Sequence, residues 1–456
     1  MIDKLIENLH TPDPSDRRSA LEALYDFACD PRVLEAASYL LTDEDRGVRE
    51  AASHLIVLCS NEKAAELTAA HISSLNIAVR NLAGDVLVRM KSASVSSLLP
   101  YIDSADKDVR KFAIDVLAQL PSTAECVRRI AGRLHDIDSN VVCSAIDALG
   151  SLHAEEYLDQ ILKLYDEAPY ARPNVVNAAG KFVGRPGLEF FANALSDEDP
   201  IVQLAAAESL STRRDEGMLA LLLEKLNTVS DLARPVILHS IVVLIESENN
   251  RTGIPPHLRD HFVRMLDDSD PAYVRAAVRG LRYFMDENTL SLLIAHAGMS
   301  ESVDSSIASV LKDQPEAAIY AAARYLESSH TKSPAGRIII AMTQALSEEG
   351  ITPKQPRILD EAASALTKHF SDFDAETKMT ALGTCGFFQA AGAVRIIKAG
   401  LEDGDLTVKG YALDLAAQIG PKYFEKELGA ISQEYDDDIR LAASALIEQL
   451  KTGFQN

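Results

Sequence analysis

An all-α solenoid, a right-handed superhelix of stacked two-helix units, is the fold class this 456-residue sequence predicts. Two observations carry the prediction. A phrase returns every thirty-odd residues: an aspartate-rich turn, a Val-Arg pair, then an alanine-studded stretch. A fixed period of this size marks stacked repeats, because one such unit cannot bury its apolar face alone. The apolar residues are also of one kind, mainly Ala, Leu, Ile and Val, with 6% aromatics and no Trp. Small side chains let helices approach closely, and leucine fills the seams.

The units follow in order. The first begins near Asp13, and clear copies of the phrase start at Asp45, Asp106, Asp199, Asp270, Gly404 and Asp437. The Val of the phrase falls at Val48, Val79, Val109, Val141, Val175, Val202, Val274 and Val408, with Ile439 in the last copy. Its early steps are 31, 30, 32, 34 and 27 residues. Thr377 marks a degenerate copy, a weaker unit lies at 233–241, and alanine-rich fragments lie near Val303 and Asp360. Together they predict about 13 or 14 helical pairs. Within one unit, Val109, Phe112, Ala113, Val116, Leu117 and Leu120 form a helical apolar face. Residues 94–102 supply a shorter partner helix. The aspartates of 103–108 are placed to cap exposed amides and to favour the positive end of the next helix.

Residues 1–250 read as a regular array. Residues 251–456 read as its continuation, less regular between about 311 and 360. Proline-containing breaks occur at 245–257, 328–334 and 348–356, where a helix cannot continue. They fit either ordinary loop variation or lengthened loops where a partner docks.

Composition narrows the function. The charge of −23 opposes phosphate-backbone binding and favours a basic protein partner. No 18-residue uncharged run predicts a membrane span, and the acid-bearing start does not read as a signal peptide, so a soluble cytoplasmic protein is expected. Cys29, Cys59, Cys126, Cys143 and Cys385 contain no C-x-x-C pair, and the expectation is neither a disulfide framework nor a zinc cluster.

The repeated D-x-x-V-R-x-x-A-x-x-A-L phrase resembles the HEAT-repeat family, particularly the short bacterial form shared with bilin-lyase subunits. That resemblance implies that the Arg after the Val joins a ladder with acidic turn residues. Arg49, Arg80, Arg110, Arg275 and Arg440 match the place, Lys409 is a conservative version, and Gln203, Val142 and Val176 depart from it.

Catalytic constellations are sparse. No H-E-x-x-H helix, P-loop, dinucleotide fingerprint or G-x-S-x-G elbow occurs. His257 and His261 fall on one helical face, which fits solvated residues at a helix start better than a metal site. Cys385, between Gly383 and Gly386, has no identifiable histidine to orient it. Arg128, Arg129 and Arg133 make the best basic patch, but on an outer helix and without interleaved aromatics. No catalytic residue, cofactor or metal is expected.

What remains is a surface. Counting each second helix from its Val, position seven is His54, Asp85, Asp115, Asp147, Lys181, Glu208, Gly280, Asp414 and Ala445. Positions one, five and eight are apolar, so position seven points away from the core. The carboxylates form a stripe that serves either solubility or a basic partner. The stripe changes sign at Lys181 and Arg185, within the Gly- and Pro-containing stretch 172–187. The expected function is a non-catalytic protein-interaction scaffold. The alternatives are an accessory or catalytic subunit of a bilin-lyase-like system and, behind it, a base-excising DNA glycosylase of helical-repeat type.

Overall fold

The computed structural model describes residues 2–213, 215–247, 254–328, 332–348, 357–388, 390–433 and 436–453. Among these residues there is no strand, and 28 α-helices follow one another as fourteen consecutive hairpins. Residues 248–253, 329–331 and 349–356, which hold much of the three sequence breaks, lie outside the described residues. The chain forms two compact units, Met1–Ile237 and Leu238–Asn456. Their division falls inside the helix Arg234–Ser247, not at the polar stretch near 250.

Each hairpin follows from its sequence. Most second helices start where an aspartate in extended conformation accepts a hydrogen bond from an amide two or three residues on. Asp45 does so for Arg46–Cys59, Asp106 for Lys107–Leu117, Asp138 for Ser139–Ser151 and Asp199 for Pro200–Ser211. Such caps are worth about 1 kcal/mol each. The first helices are shorter in most pairs. Between Lys91 and Asp103 only Val95–Leu98 is α-helical, flanked by 3-10 turns, because Pro100 can donate no backbone bond. In Met1–Ile237 the core is a seam of Ala, Leu, Ile and Val in which Leu21, Val48, Leu87, Ile114 and Ile146 are fully buried.

A second device shapes the turns. Asp43, Ser74, Ser104, Asp136, Asp197, Asp268 and Asp403 each accept a bond from the N–H two residues on. That residue is in turn the cap of the following helix. The residue between acceptor and cap faces solvent: Glu44, Leu75, Ala105, Ile137, Glu198, Ser269 and Gly404 are all exposed.

Neighbouring hairpins are pegged at these turns. Arg110 donates Nε and Nη2 to the two oxygens of Asp136 at 2.9 and 2.7 Å, and Nη1 to the carbonyls of Ser104 and Ala105. The two side chains are only 8% and 3% exposed. Arg17 treats Asp43, Thr11 and Pro12 in the same way, and Lys378 reaches Asp403 at 2.8 Å. Burial opposes the charge on Asp136, but bonds from Arg110, the Asp138 amide and Arg133 outweigh it and hold its carboxyl below the usual range. The same balance lowers Asp43, with Arg17 as the cation.

The predicted ladder is therefore uneven. Arg49 donates to the carbonyls of Asp43 and Glu44, with no bridging carboxylate. Arg80 lies over the Phe112 ring, 5.9 Å from its centre. In both cases the next turn begins with Ser74 or Ser104 where a bridging rung has Asp. Arg275 reaches Ser302 Oγ at 3.2 Å, and Arg440 pairs within its own helix with Asp437. Gln203, a departure from the pattern, is a neutral rung. Its Nε2 donates to the Asp197 carbonyl and its Oε1 accepts from the Ser230 amide, both at 2.7 Å.

One cysteine expectation is overturned. Cys29 and Cys59 form a disulfide with Cα atoms 5.1 Å apart. Their separation of 30 residues is close to one repeat, so equivalent points of successive loops become neighbours although no short motif announces them.

Candidate interaction site on the second helices

The position-seven residues sit on successive second helices. Asp85, on Ile77–Met90, is exposed and makes no hydrogen bond or ion pair among the described residues. Asp115, on Lys107–Leu117, pairs with Lys111 Nζ at 2.7 Å. Asp147, on Ser139–Ser151, accepts from Asn174 Nδ2 at 2.8 Å, a bond to the next second helix, Arg172–Gly180. Lys181 donates to Ser151 Oγ at 2.8 Å. Burial pushes the Asp147 carboxyl above its usual value, and the charge on Asp115 adds to the push; Asn174, Lys181 and Lys111 oppose it. Asp115, Asp147 and Lys181 thus share one electrostatic neighbourhood. His54 instead meets the Tyr25 ring edge-on at 4.9 Å.

Beside them opens a cleft of about 770 Å³, lined by Asp147, Lys181, Glu208, His153, Arg213 and Asp215 among others. Its walls are local consequences of sequence. Gly180 lets two second helices touch, since a Cβ there would lie 2.5 Å from Ser209 Oγ. Gly184 turns the chain at φ +75°, a left-handed conformation that glycine adopts without strain. Arg213 then fixes the loop. It donates to the carbonyls of Phe182 and Pro186 at 3.0 and 3.3 Å and lies over Phe191, 5.0 Å from the ring centre.

Three sequence-derived residues, Asp147, Lys181 and Glu208, therefore line one cleft, with Asp115 adjoining through its field. Arg185 does not join them. It pairs with Asp159 of the first helix Leu158–Glu167 at 2.8 Å, away from the stripe. Arg213 and Asp215 are the residues that sequence reasoning missed. Their signal was the Arg-Arg-Asp run closing a second helix, where other copies of the phrase carry no such run.

The weaker chemical candidates resolve individually. His257 and His261 lie side by side with ring centres 6.5 Å apart, and His261 is buried beside Arg264. Among the described residues no group of three or more His, Cys, Asp or Glu could hold a metal ion. Burial raises the Cys385 thiol and lifts Cys126 to about 11, the opposite of what activates a nucleophile. The basic patch is engaged internally: Arg128 with Glu125, Arg129 and Arg133 with Asp103. No helix among the described residues is long and apolar enough to cross a membrane.

Residues 95–172 and 158–241 match the family model for HEAT repeats. No curated protein matches the chain. Among solved structures, yeast importin-β (Kap95p) is 13% identical over 98% of this chain and 78% of its own, with a TM-score of 0.46. A structure of Kap95p with RanGDP gives 12% identity, 98% and 76% coverage and a TM-score of 0.48. Karyopherin Kap121p bound to RanGTP gives 11%, 98%, 56% and 0.47. The hairpins, their spacing and the family match establish a HEAT/ARM-type helical-repeat solenoid fold.

Proposed function

We propose that this protein is a non-catalytic interaction scaffold that receives a basic segment of another protein on the second-helix face of its first unit. One observation carries the reading. Asp147, Lys181 and Glu208, chosen by helical position alone, line a single open cleft, and Asp115 is coupled to Asp147. Lys181 lies between Asp147 and Glu208 along the successive helices, so a basic segment would meet carboxylates on either side of one cation, a pattern that would set its register. Nucleic acid is disfavoured by the charge of −23 and by the internal pairing of the arginine patch.

The test is a pull-down at low and high salt, followed by affinity measurement on the recovered partner. Replacing Asp85, Asp115 and Asp147 together by Asn should preserve helix content, slow association and flatten the salt dependence. Unchanged affinity would assign the carboxylates to solubility. A second reading, a bilin-lyase-like subunit, is favoured by the Asp-x-x-Val-Arg phrase itself and predicts chromophore-dependent transfer activity. A cytoplasmic setting belongs to the proposal, and there the Cys29–Cys59 pair would be exposed to a reducing pool.

A further inference from the structure

We propose that the hairpin-turn edge of the first unit, from Leu75 to Tyr170, is a second docking surface, and that its occupant is a basic amphipathic segment of another protein. The geometry begins with the turns. In each one the middle residue is forced outward, because both its neighbours are bonded back to the chain or cap the next helix. Such a position asks nothing of its side chain, and Glu44, Glu198, Ser269 and Gly404 fill it with polar or minimal residues. Leu75 and Ile137 do not. They are 98% and 99% exposed. Ala105 stands exposed in the turn between them, and Ile77 and Tyr170 extend the apolar row at 62% and 55%. The row spans four successive hairpins and is bounded on either side by Glu44 and Glu198.

The row is held in place rather than loosely arrayed. Lys107 Nζ lies 3.2 Å from Asp138 Oδ2, and Arg110 grips Asp136, so the turns carrying Ala105 and Ile137 are pinned together from both flanks of Ile137. These pins also decide the sign of the rim. Lys107 and Arg110 are engaged with Asp138 and Asp136, whereas Asp106 and Asp108 are exposed and form no ion pair among the described residues. An apolar centre with a charged rim is the layout of a protein interface, and exposed apolar rows of this kind mark interaction sites.

Charge selects among occupants. A second copy of the chain would set Asp106 and Asp108 against a molecule that itself carries −23. An anionic membrane surface is repelled for the same reason. A segment with apolar residues on one side and Lys or Arg flanking them meets both features of the edge.

The test uses the full chain and a fluorescein-labelled synthetic helical peptide with Leu on one face and Lys on the other, read by anisotropy. A version with Glu in place of Lys is the control. The Leu75→Asn/Ile137→Asn variant should bind at least about tenfold more weakly, as loss of central apolar anchors does, with an unchanged thermal melt. The Asp106→Asn/Asp108→Asn variant should lose about threefold at low salt and nothing at high salt. The Glu peptide should not bind. Equal affinity for the Leu75→Asn/Ile137→Asn variant would overturn the proposal. So would binding that is lost in Asp115→Asn/Asp147→Asn but kept in Leu75→Asn/Ile137→Asn, which would put the peptide in the cleft. A dimer in sedimentation that the Leu75→Asn/Ile137→Asn variant dissolves would make a second copy the occupant and sink it equally.

Discussion

The two compact units are made of the same hairpin but not of the same helix lengths. In Met1–Ile237 the first helix of each pair runs between 4 and 10 residues, and the turns carry much of the register. Arg17–Asp43, Arg110–Asp136 and the Gln203 bridge peg one hairpin to the next. In Leu238–Asn456 the pair Pro315–Ser328 and Ser333–Glu348 is 14 and 16 residues long. It buries Ile319, Leu326, Ile339 and Met342 along an extended seam. The long pair adds weak apolar contacts along its length to directional bonds at its ends. Those bonds are Arg337 with Asp374 at 3.2 Å and Lys332 with Asp372 at 2.9 Å, and further on Lys378 reaches Asp403 at 2.8 Å.

The largest expected effect tests the pegs. Arg110→Ala leaves the buried Asp136 with only Arg133 at 3.3 Å and the Asp138 amide, and should cost about 3 kcal/mol in urea unfolding. Arg49→Ala loses only bonds to partly exposed carbonyls and should cost about 1 kcal/mol. Equal losses would erase the distinction between bridging and non-bridging rungs.

A smaller effect appears in acid. Asp43 and Asp136 have carboxyls below the usual range when folded. Their contribution is complete above the unfolded value of about 3.9 and is lost as pH falls through the folded values. Asp136→Asn should therefore flatten the acid limb of a stability–pH curve. An unaltered slope would show that Asp136 contributes no proton linkage.

The smallest effect concerns the cleft. Asp147 has a raised carboxyl, so its ionised form weighs against folding above that value and stops doing so once protonated. Asp147→Asn keeps an acceptor for Asn174 and should leave the melting temperature equal or slightly higher. A clear loss would move Asp147 from the binding face into the structural framework.

The architecture was legible because period, apolar spacing and cap residues all point to one fold. Fourteen hairpins among the described residues answer the expected 13 or 14. The second-helix face was legible in part, since helical position seven locates Asp115 and Asp147. What escaped was whatever depends on two copies at once. The Arg110 rung needs an acid at the start of the following turn, and Arg49 and Arg80, alike in their own repeats, lack it. The Cys29–Cys59 bond and the Gln203 bridge likewise join residues about one repeat apart. Arg185 lies apart from the cleft for a related reason: its loop turns toward a first helix, which the second-helix count cannot register.

The three-residue turn has a consequence for how such a chain can change. Its outer two residues do the folding work, one accepting a backbone bond and the other starting a helix. The middle one is left without structural duty. A chain of these turns therefore holds a row of sites, one per hairpin, where mutation is nearly free of stability cost. Substitutions at Glu44, Ala105 or Glu198 could add or erase a contact without disturbing a single cap. New surfaces can be composed on such an edge one letter at a time, while the caps on either side keep the fold in register.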